Sequence, residues 1–453
     1  MFESKCQPLI FGNKKYALDK KDGVLKEILS DFSASGRENP FSRNKRMTNY
    51  LSTVYHNFQL PDNDDLLSNG RKASDYKRIP SKLSYCSNYF EFVHLKNSNE
   101  KHLSYGEGCH CSLCPSCNFF RARNNLRNII EVLEEFFKVP SNCEYPFVFL
   151  TLTVPDCPGS DLRSVIKSMN KAWDKFIKYK EIKDSIIGCS RSFEVTVNNN
   201  PDSDSYGLFH PHFHVLLIMR KDYFLFHRSS DDDIYMNKLQ WLLLWQRSLG
   251  LHKFRPTVAN QHSSKGWRTA RNDCFEKWCT WFGGFFSSGE PLKGHLLPSA
   301  PADLVTSIDI KRVSKWHKDK PDQNALRCIK LLGEVVKYNF KPDNIFTGDL
   351  LVDTDRVYWL DGALYHLRRW NLTGVLRDIF KKLGLTDEEQ ADFIQIAGID
   401  FEQIDYITGW WYSNEHTEYL RGKCKTIEQK NRARKALGLP LLDADAFSQI
   451  KKK

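Results

Sequence analysis

One short run constrains this chain more than any other: His210-Pro211-His212-Phe213-His214-Val215-Leu216-Leu217. In an extended strand, alternate side chains point to the same side. His210, His212 and His214 then share one face, while Phe213, Val215 and Leu217 share the other, which must pack on helices. Ser192 to Val197 alternates in the same way, with Phe193, Val195 and Val197 as its apolar set and Glu194 and Thr196 as its polar set. The Asn, Asp, Ser and Pro residues of 198–205 join the two strands as a hairpin with a long loop. With the apolar faces aligned, Glu194 lies on the histidine face.

Two imidazoles and a carboxylate leave open positions on a divalent cation, and a phosphate can fill them. A lone histidine on a polar strand face is usually bonded to its neighbours. Three in alternation, backed by a clean apolar face, favour a metal. The expected ligands are His212 and His214, with Glu194 or His210 as the third.

The flanking segments read as helices and strands of one globular protein. Leu126, Ile129, Ile130, Leu133, Phe136 and Phe137 line one helical face, and Phe147 to Val154 is a β-rich run. A second amphipathic helix carries Leu162, Val165, Ile166, Met169, Trp173, Phe176 and Ile177, with Asp161 or Ser160 as its cap. Residues 1–80 read as an accessory arm, 81–125 as a small metal-binding module and 126–345 as the histidine-bearing domain. An insertion at about 222–300 holds Trp241, Trp245, Trp267, Trp278 and Trp281, and 346–453 is a mainly helical tail. Those tryptophans can stack on bases, although core burial is the commoner fate.

The 453 residues carry 66 Lys and Arg against 55 Asp and Glu, a net charge of +11. Such an excess suits a polyanion, nucleic acid before membrane surface. The chain opens without a basic-then-apolar leader, and its apolar runs are too short to span a bilayer, so a cytoplasmic protein is expected. In that reducing setting its 13 cysteines point to metal rather than disulfides. Four of them crowd into Cys109-His110-Cys111-Ser112-Leu113-Cys114-Pro115-Ser116-Cys117. Cys114 and Cys117 present two thiolates to one Zn²⁺, and Cys86 and Cys109 are the chosen partners, with Cys111 or His110 as substitutes for Cys109. Four ligands close a site, so this zinc is expected to be structural. Arg121, Arg123 and Arg127 follow directly and are offered to DNA phosphates.

Leu326 to Phe340 reads as a helix with Ile329, Leu332, Val335 and Val336 inward. Glu334, Tyr338 and Lys341 stack along another face at i, i+4 and i+7. A tyrosine hydroxyl becomes a nucleophile when a metal or a lysine favours the phenolate. A carboxylate one turn away can serve as base for a second nucleophile.

Three segments now stand in order: Phe149-Leu150-Thr151-Leu152-Thr153, the histidine run, and Glu334-Val335-Val336-Lys337-Tyr338-Asn339-Phe340-Lys341. Together they resemble the HUH (His-hydrophobic-His) endonucleases, over roughly residues 81–345. The closest likeness is to plasmid rolling-circle replication initiators with one catalytic tyrosine and a glutamate one turn before it. The resemblance implies an α+β fold, a central antiparallel sheet flanked by helices. It implies that Tyr338 nicks one strand of a single-stranded or hairpin origin, keeps the 5′-phosphate and frees a 3′-OH. Glu334 then activates the water that ends the round, Lys341 assists and Lys337 contacts DNA. Mg²⁺ or Mn²⁺ would serve the histidine site and Zn²⁺ the cysteines, with host helicase and DNA polymerase as partners. Initiators of this kind show a distant Cys followed by Cys-x-x-x-x-Cys-Pro-x-Cys, as Cys86, Cys109, Cys114 and Cys117 do here. A transposase or relaxase with the same chemistry, and a zinc-bearing DNA-binding regulator without catalysis, are the competing expectations.

Overall fold

The structure, a computed structural model, describes residues 9–11, 14–19, 22–29, 39–96, 101–225, 235–236, 238–251, 308–312, 342–385, 404–437 and 441–442. A ribbon of β1 (Leu9–Phe11), β2 (Lys14–Asp19) and β3 (Val24–Glu27) comes first. Helices α1 (Pro40–His56), α2 (Ala73–Lys77) and α3 (Ile79–Tyr85) follow. Strands β4 (Tyr89–Leu95) and β5 (Lys101–Gly106) then lead to the long helix α4 (Pro115–Phe137). Next come β6 (Phe147–Thr153), α5 (Gly159–Phe176), α6 (Lys180–Lys183), β7 (Ile186–Val197), β8 (Phe209–Met219) and α7 (Lys238–Ser248). The remaining described elements are β9 (Ile308–Arg312), α8 (Pro342–Ile345), α9 (Leu350–Leu364), β10 (Trp370–Gly374) and α10 (Val375–Lys382). They end with β11 (Ile404–Ser413), β12 (Glu418–Gly422) and α11 (Ile427–Leu437).

Five strands form an antiparallel sheet in the order β10-β7-β8-β6-β9. The two long strands, β7 and β8, sit inside it because their alternation buries side chains on both faces. Phe193, Val195, Phe213, Val215 and Leu217 join Trp173 and Phe176 of α5 and Trp245 of α7 in one core. Leu216 and Ile218 point the other way, into a second core with Ile129, Leu133 and Phe136 of α4 and Leu376 and Phe380 of α10. Burying an aromatic or branched side chain this fully contributes roughly 1.5–3 kcal/mol. His212 and His214 lie on the same face as Leu216 and Ile218, by the period of two.

The sheet is α+β as expected, antiparallel and flanked by helices. Four local readings change. Helix α4 starts at Pro115, not near Leu126, because the cysteine turn is its first turn: Cys114 is the N-cap and Pro115 takes the first position. Helix α5 begins at Gly159 with Pro158 before it and no side-chain cap, and Asp161 sits in its first turn, where the helix dipole favours a carboxylate. Helix α7, expected within an insertion, is core: Trp241 and Trp245 are fully buried against Phe176. Trp267, Trp278 and Trp281 lie outside the described residues.

The fourth concerns the segments before and after the histidine domain. A second sheet has the order β12-β11-β4-β5, so two strands of the C-terminal region complete the module that holds the cysteines. Beside its helices, that region also supplies β10, the edge of the histidine sheet. The N-terminal segment, expected as an accessory arm, packs on the rest of the described chain. Leu51 and Val54 of α1 are fully buried, and Leu29 N–H donates to Tyr419 O at 2.8 Å. The segments separated at 80, 125 and 345 by composition interleave in space, because pairing between distant strands leaves no local mark on sequence. No described helix is long and apolar enough to cross a membrane.

Candidate metal centres

On β8, His212 and His214 each lie between two strands. His212 stands opposite Glu194 of β7 and Thr153 of β6. His214 stands opposite Ser192 and Thr151. Glu194 Oε2 is 3.3 Å from His212 Nε2 and 3.0 Å from His214 Nε2. Glu194 and His212 are buried, and His214 is partly so. His214 also stacks on Phe149, with ring centroids 5.7 Å apart.

The second nitrogens show which atoms are offered to a ligand. His212 Nδ1 lies 3.1 Å from the His210 carbonyl. A carbonyl only accepts, so Nδ1 carries the proton and Nε2 of the neutral ring carries the lone pair. That lone pair faces a carboxylate oxygen, an arrangement that a cation on the same edge makes favourable. Donors bound at about 2.1 Å in octahedral geometry stand about 3 Å apart, close to the distances seen. Two histidines and a carboxylate on one face leave positions open for an incoming ligand. The three residues therefore fit a metal ion.

Of the two candidates for third ligand, the structure brings Glu194 to the pair. His210 turns away, its Nδ1–H donating to Asp156 Oδ1 at 2.6 Å. Asp156 carries no mark in the sequence, whereas Thr151 stands within the Phe149–Thr153 segment and Trp245 among the tryptophans, neither with a role at this site. The alternation in β6 marks Thr151 as one side of a strand, but only the register across β8 gives it a partner. The Trp245 indole N–H donates to Thr153 O at 2.9 Å and so braces the strand beside His212 from the opposite core. Tyr338, Glu334, Lys341 and Lys337 lie outside the described residues.

A second cluster unites Cys86, Cys109, Cys114 and Cys117, all buried. Sulfur separations are 3.5 Å for Cys86–Cys114 and 3.6 Å for Cys86–Cys117 and Cys109–Cys117. A disulfide would be about 2.05 Å, whereas four thiolates at about 2.3 Å from one tetrahedral ion stand about 3.8 Å apart. Cys86 ends α3, Cys109 follows β5, and Cys114 and Cys117 open α4, so one ion would tie three elements. Cys111 stays outside the four, partly exposed, with its thiol 3.8 Å from the Cys109 carbonyl. Burial pushes the Cys86, Cys109 and Cys117 thiols up. Burial also opposes ionisation of Cys114, but hydrogen bonds from the three neighbouring thiols outweigh it and hold that thiol down. From α1, Lys45 Nζ donates to the Cys86 carbonyl at 2.6 Å, and Thr48 Oγ1 lies 3.6 Å from Cys114 Sγ.

The arginines after the cluster divide. Arg121 is directed to the cysteine loop, donating to His110 O at 3.0 Å and Cys111 O at 3.4 Å. Arg123 is exposed over the Phe119 ring, and Arg127 lies 3.6 Å from Glu131.

The family described as Replication protein matches residues 100–274, a stretch that holds the histidine site and three of the four clustered cysteines. A protein rep of Lactiplantibacillus plantarum is 32% identical over 318 residues, 69% of this chain and 79% of that protein. A protein rep of Bacillus amyloliquefaciens is 25% identical over 385 residues, 83% of this chain and 91% of that protein. One of Streptococcus pneumoniae is 29% identical over 343 residues, 75% and 83% of the two chains. No solved structure matches. Identity of 32% over 69% of this chain and 79% of the Lactiplantibacillus plantarum protein means that this chain belongs to the Rep family of replication proteins, the plasmid rolling-circle initiators that its motifs resemble.

Proposed function

We propose that this replication initiator nicks one strand of its origin through a tyrosine ester, with a divalent ion, Mg²⁺ or Mn²⁺, held by Glu194, His212 and His214. The carrying observation is the convergence of two imidazole nitrogens on one carboxylate oxygen. The ion supplies Lewis-acid polarisation of a phosphoryl oxygen. The three ligands hold the phosphate against the sheet, and Tyr338 supplies the nucleophile. Its phenolate oxygen bonds to phosphorus, the bond to the 3′ oxygen breaks, and that oxygen takes a proton. The products are a 5′-phosphotyrosine and a free 3′-OH from which host polymerase extends, with host helicase opening the duplex.

The described chain supports Tyr338 by reach. Asn199, two residues beyond β7, donates to Asn344 O at 2.8 Å. Six chain steps separate Tyr338 from Asn344, which limits the distance between them to about 22 Å. Glu334 activates water late in the round, and Lys341 stabilises the phenolate. Zn²⁺ fills the cysteine cluster as a structural staple. Arg123, Arg127 and Lys337 contact phosphates.

The test is incubation with a labelled single-stranded origin and Mn²⁺. A covalent adduct is expected with the parent protein, none with Tyr338→Phe, and none after chelation of the added ion. Glu334→Ala should keep the first nick and fail to release finished circles. An adduct with Tyr338→Phe would assign the nucleophile elsewhere.

A further inference from the structure

The two metal-facing histidines are held in different ways, and the difference has a chemical meaning. His212 Nδ1 meets a backbone carbonyl, which can only accept. His214 Nδ1 meets the Thr151 hydroxyl at 3.3 Å, which can donate or accept. His214 Nε2 lies 3.0 Å from Glu194 Oε2. The His214 ring therefore has two complete bonding patterns. In one, Nε2–H donates to Glu194 while the Thr151 hydroxyl donates to Nδ1. In the other, Nδ1–H donates to Thr151 and the Nε2 lone pair is offered to a cation.

We propose that Thr151 is a positioning residue, and that its hydroxyl acts as a rotor which lets His214 exchange tautomers when the divalent ion enters. The inference rests on the metal site proposed above. His212 is preset as a ligand, and His214 is switched into place. During the exchange Nε2 releases its proton to water and Nδ1 takes one from water. The ring stays neutral and no net proton is released. The same turn of the hydroxyl keeps Nδ1 bonded in both states, so ring orientation is kept while the ligand atom changes. Without the hydroxyl, the metal-binding tautomer would leave a partly buried N–H facing an apolar side chain, and such outer partners of metal ligands matter to affinity.

The experiment uses the full chain with its cysteine cluster loaded with zinc. Thr151→Val keeps a β-branched shape suited to a strand. Mn²⁺ affinity, read by electron paramagnetic resonance, should fall about ten- to hundredfold in Thr151→Val, and Thr151→Ser should restore it. In parallel, ¹⁵N-histidine spectra of the parent should show His214 as the Nε2–H tautomer before Mg²⁺ and as Nδ1–H at saturation, with His212 as Nδ1–H before and after. Unchanged Mn²⁺ affinity in a folded Thr151→Val overturns the proposal, as does a His214 tautomer that does not respond to Mg²⁺. The spectra decide even if Thr151→Val fails to fold. A His212→Ala/His214→Ala protein separates the two levels. If it binds Mn²⁺ like the parent, the metal site itself is wrong. If it loses Mn²⁺ while Thr151→Val does not, only the rotor is.

Discussion

Glu194 shows how much one side chain can be asked to do. Its Oε2 lies within 3.3 Å of two imidazole nitrogens, from a position almost closed to water. Glu194→Gln keeps the shape and removes the charge, so Mn²⁺ binding and nicking should each fall at least about tenfold while the thermal midpoint stays near that of the parent. Retained Mn²⁺ affinity would remove Glu194 from the ligand set. Elsewhere a single imidazole sets a pH response. Burial, and after it Lys101 and Arg421, hold His94 below its ordinary pKa against the opposing pull of Glu27 and Asp405. The ring stacks on Tyr406 and meets Thr408 Oγ1 at 3.0 Å. As pH falls below about 6.5, the unfolded chain takes the proton first. The stability owed to neutral His94 is therefore complete above that value and is lost as pH drops through the lower folded one. Denaturation midpoints measured against pH should show a shallower acid limb in His94→Gln, and an identical limb would contradict this.

Strands and helices repeat the lesson one level up. The histidine strand was legible because a period of two fixes faces: Phe213, Val215 and Leu217 pack on α5 and α7, and Glu194 shares a side with His212 and His214. Periodicity fixes faces but not neighbours. Thr151 meets His214, and Asp156 draws His210 away, through pairings that span more than fifty residues. The cysteines were legible because soft ligands at short spacing have few other uses in such a chain. Lys45 and Thr48, which back them from α1, carry no comparable mark. Nor does α7, whose tryptophans read as readily for stacking on bases as for core. Trp245→Phe should cost about 0.5–1.5 kcal/mol, the net contribution of one buried hydrogen bond to the Thr153 carbonyl. A denaturant titration reads this directly, and a shift near zero would mean the bond contributes nothing. Cys114→Ser should release zinc and lower the unfolding midpoint, and a zinc-free variant with the parent's midpoint would rule out a staple.

Across the whole molecule, both sheets are closed by strands from the last quarter of the chain. β10 runs along β7 with Trp370 opposite Ser192, two positions from Glu194, and β11 runs along β4. Buried ion pairs add to this closure: Lys430 reaches Glu91 at 2.7 Å, and Lys425 pairs with Glu107. A fragment of residues 126–345, which composition alone would mark as a domain, would expose the edge of β7 and lose much of the second core. It should unfold without cooperativity and fail to bind Mn²⁺. A sharp two-state transition with Mn²⁺ bound would show that the fragment stands alone.

The order of closure also sets a clock. On the ribosome Ser192 is made long before Trp370, its cross-strand partner. Trp370 comes 178 positions after Ser192, about 9–36 s of synthesis at ordinary elongation rates. Through that interval β7 waits with one edge unpaired, and the cysteine module waits longer still for β11 and β12. A nascent chain therefore completes the sheet around Glu194 only after Trp370 has left the ribosome.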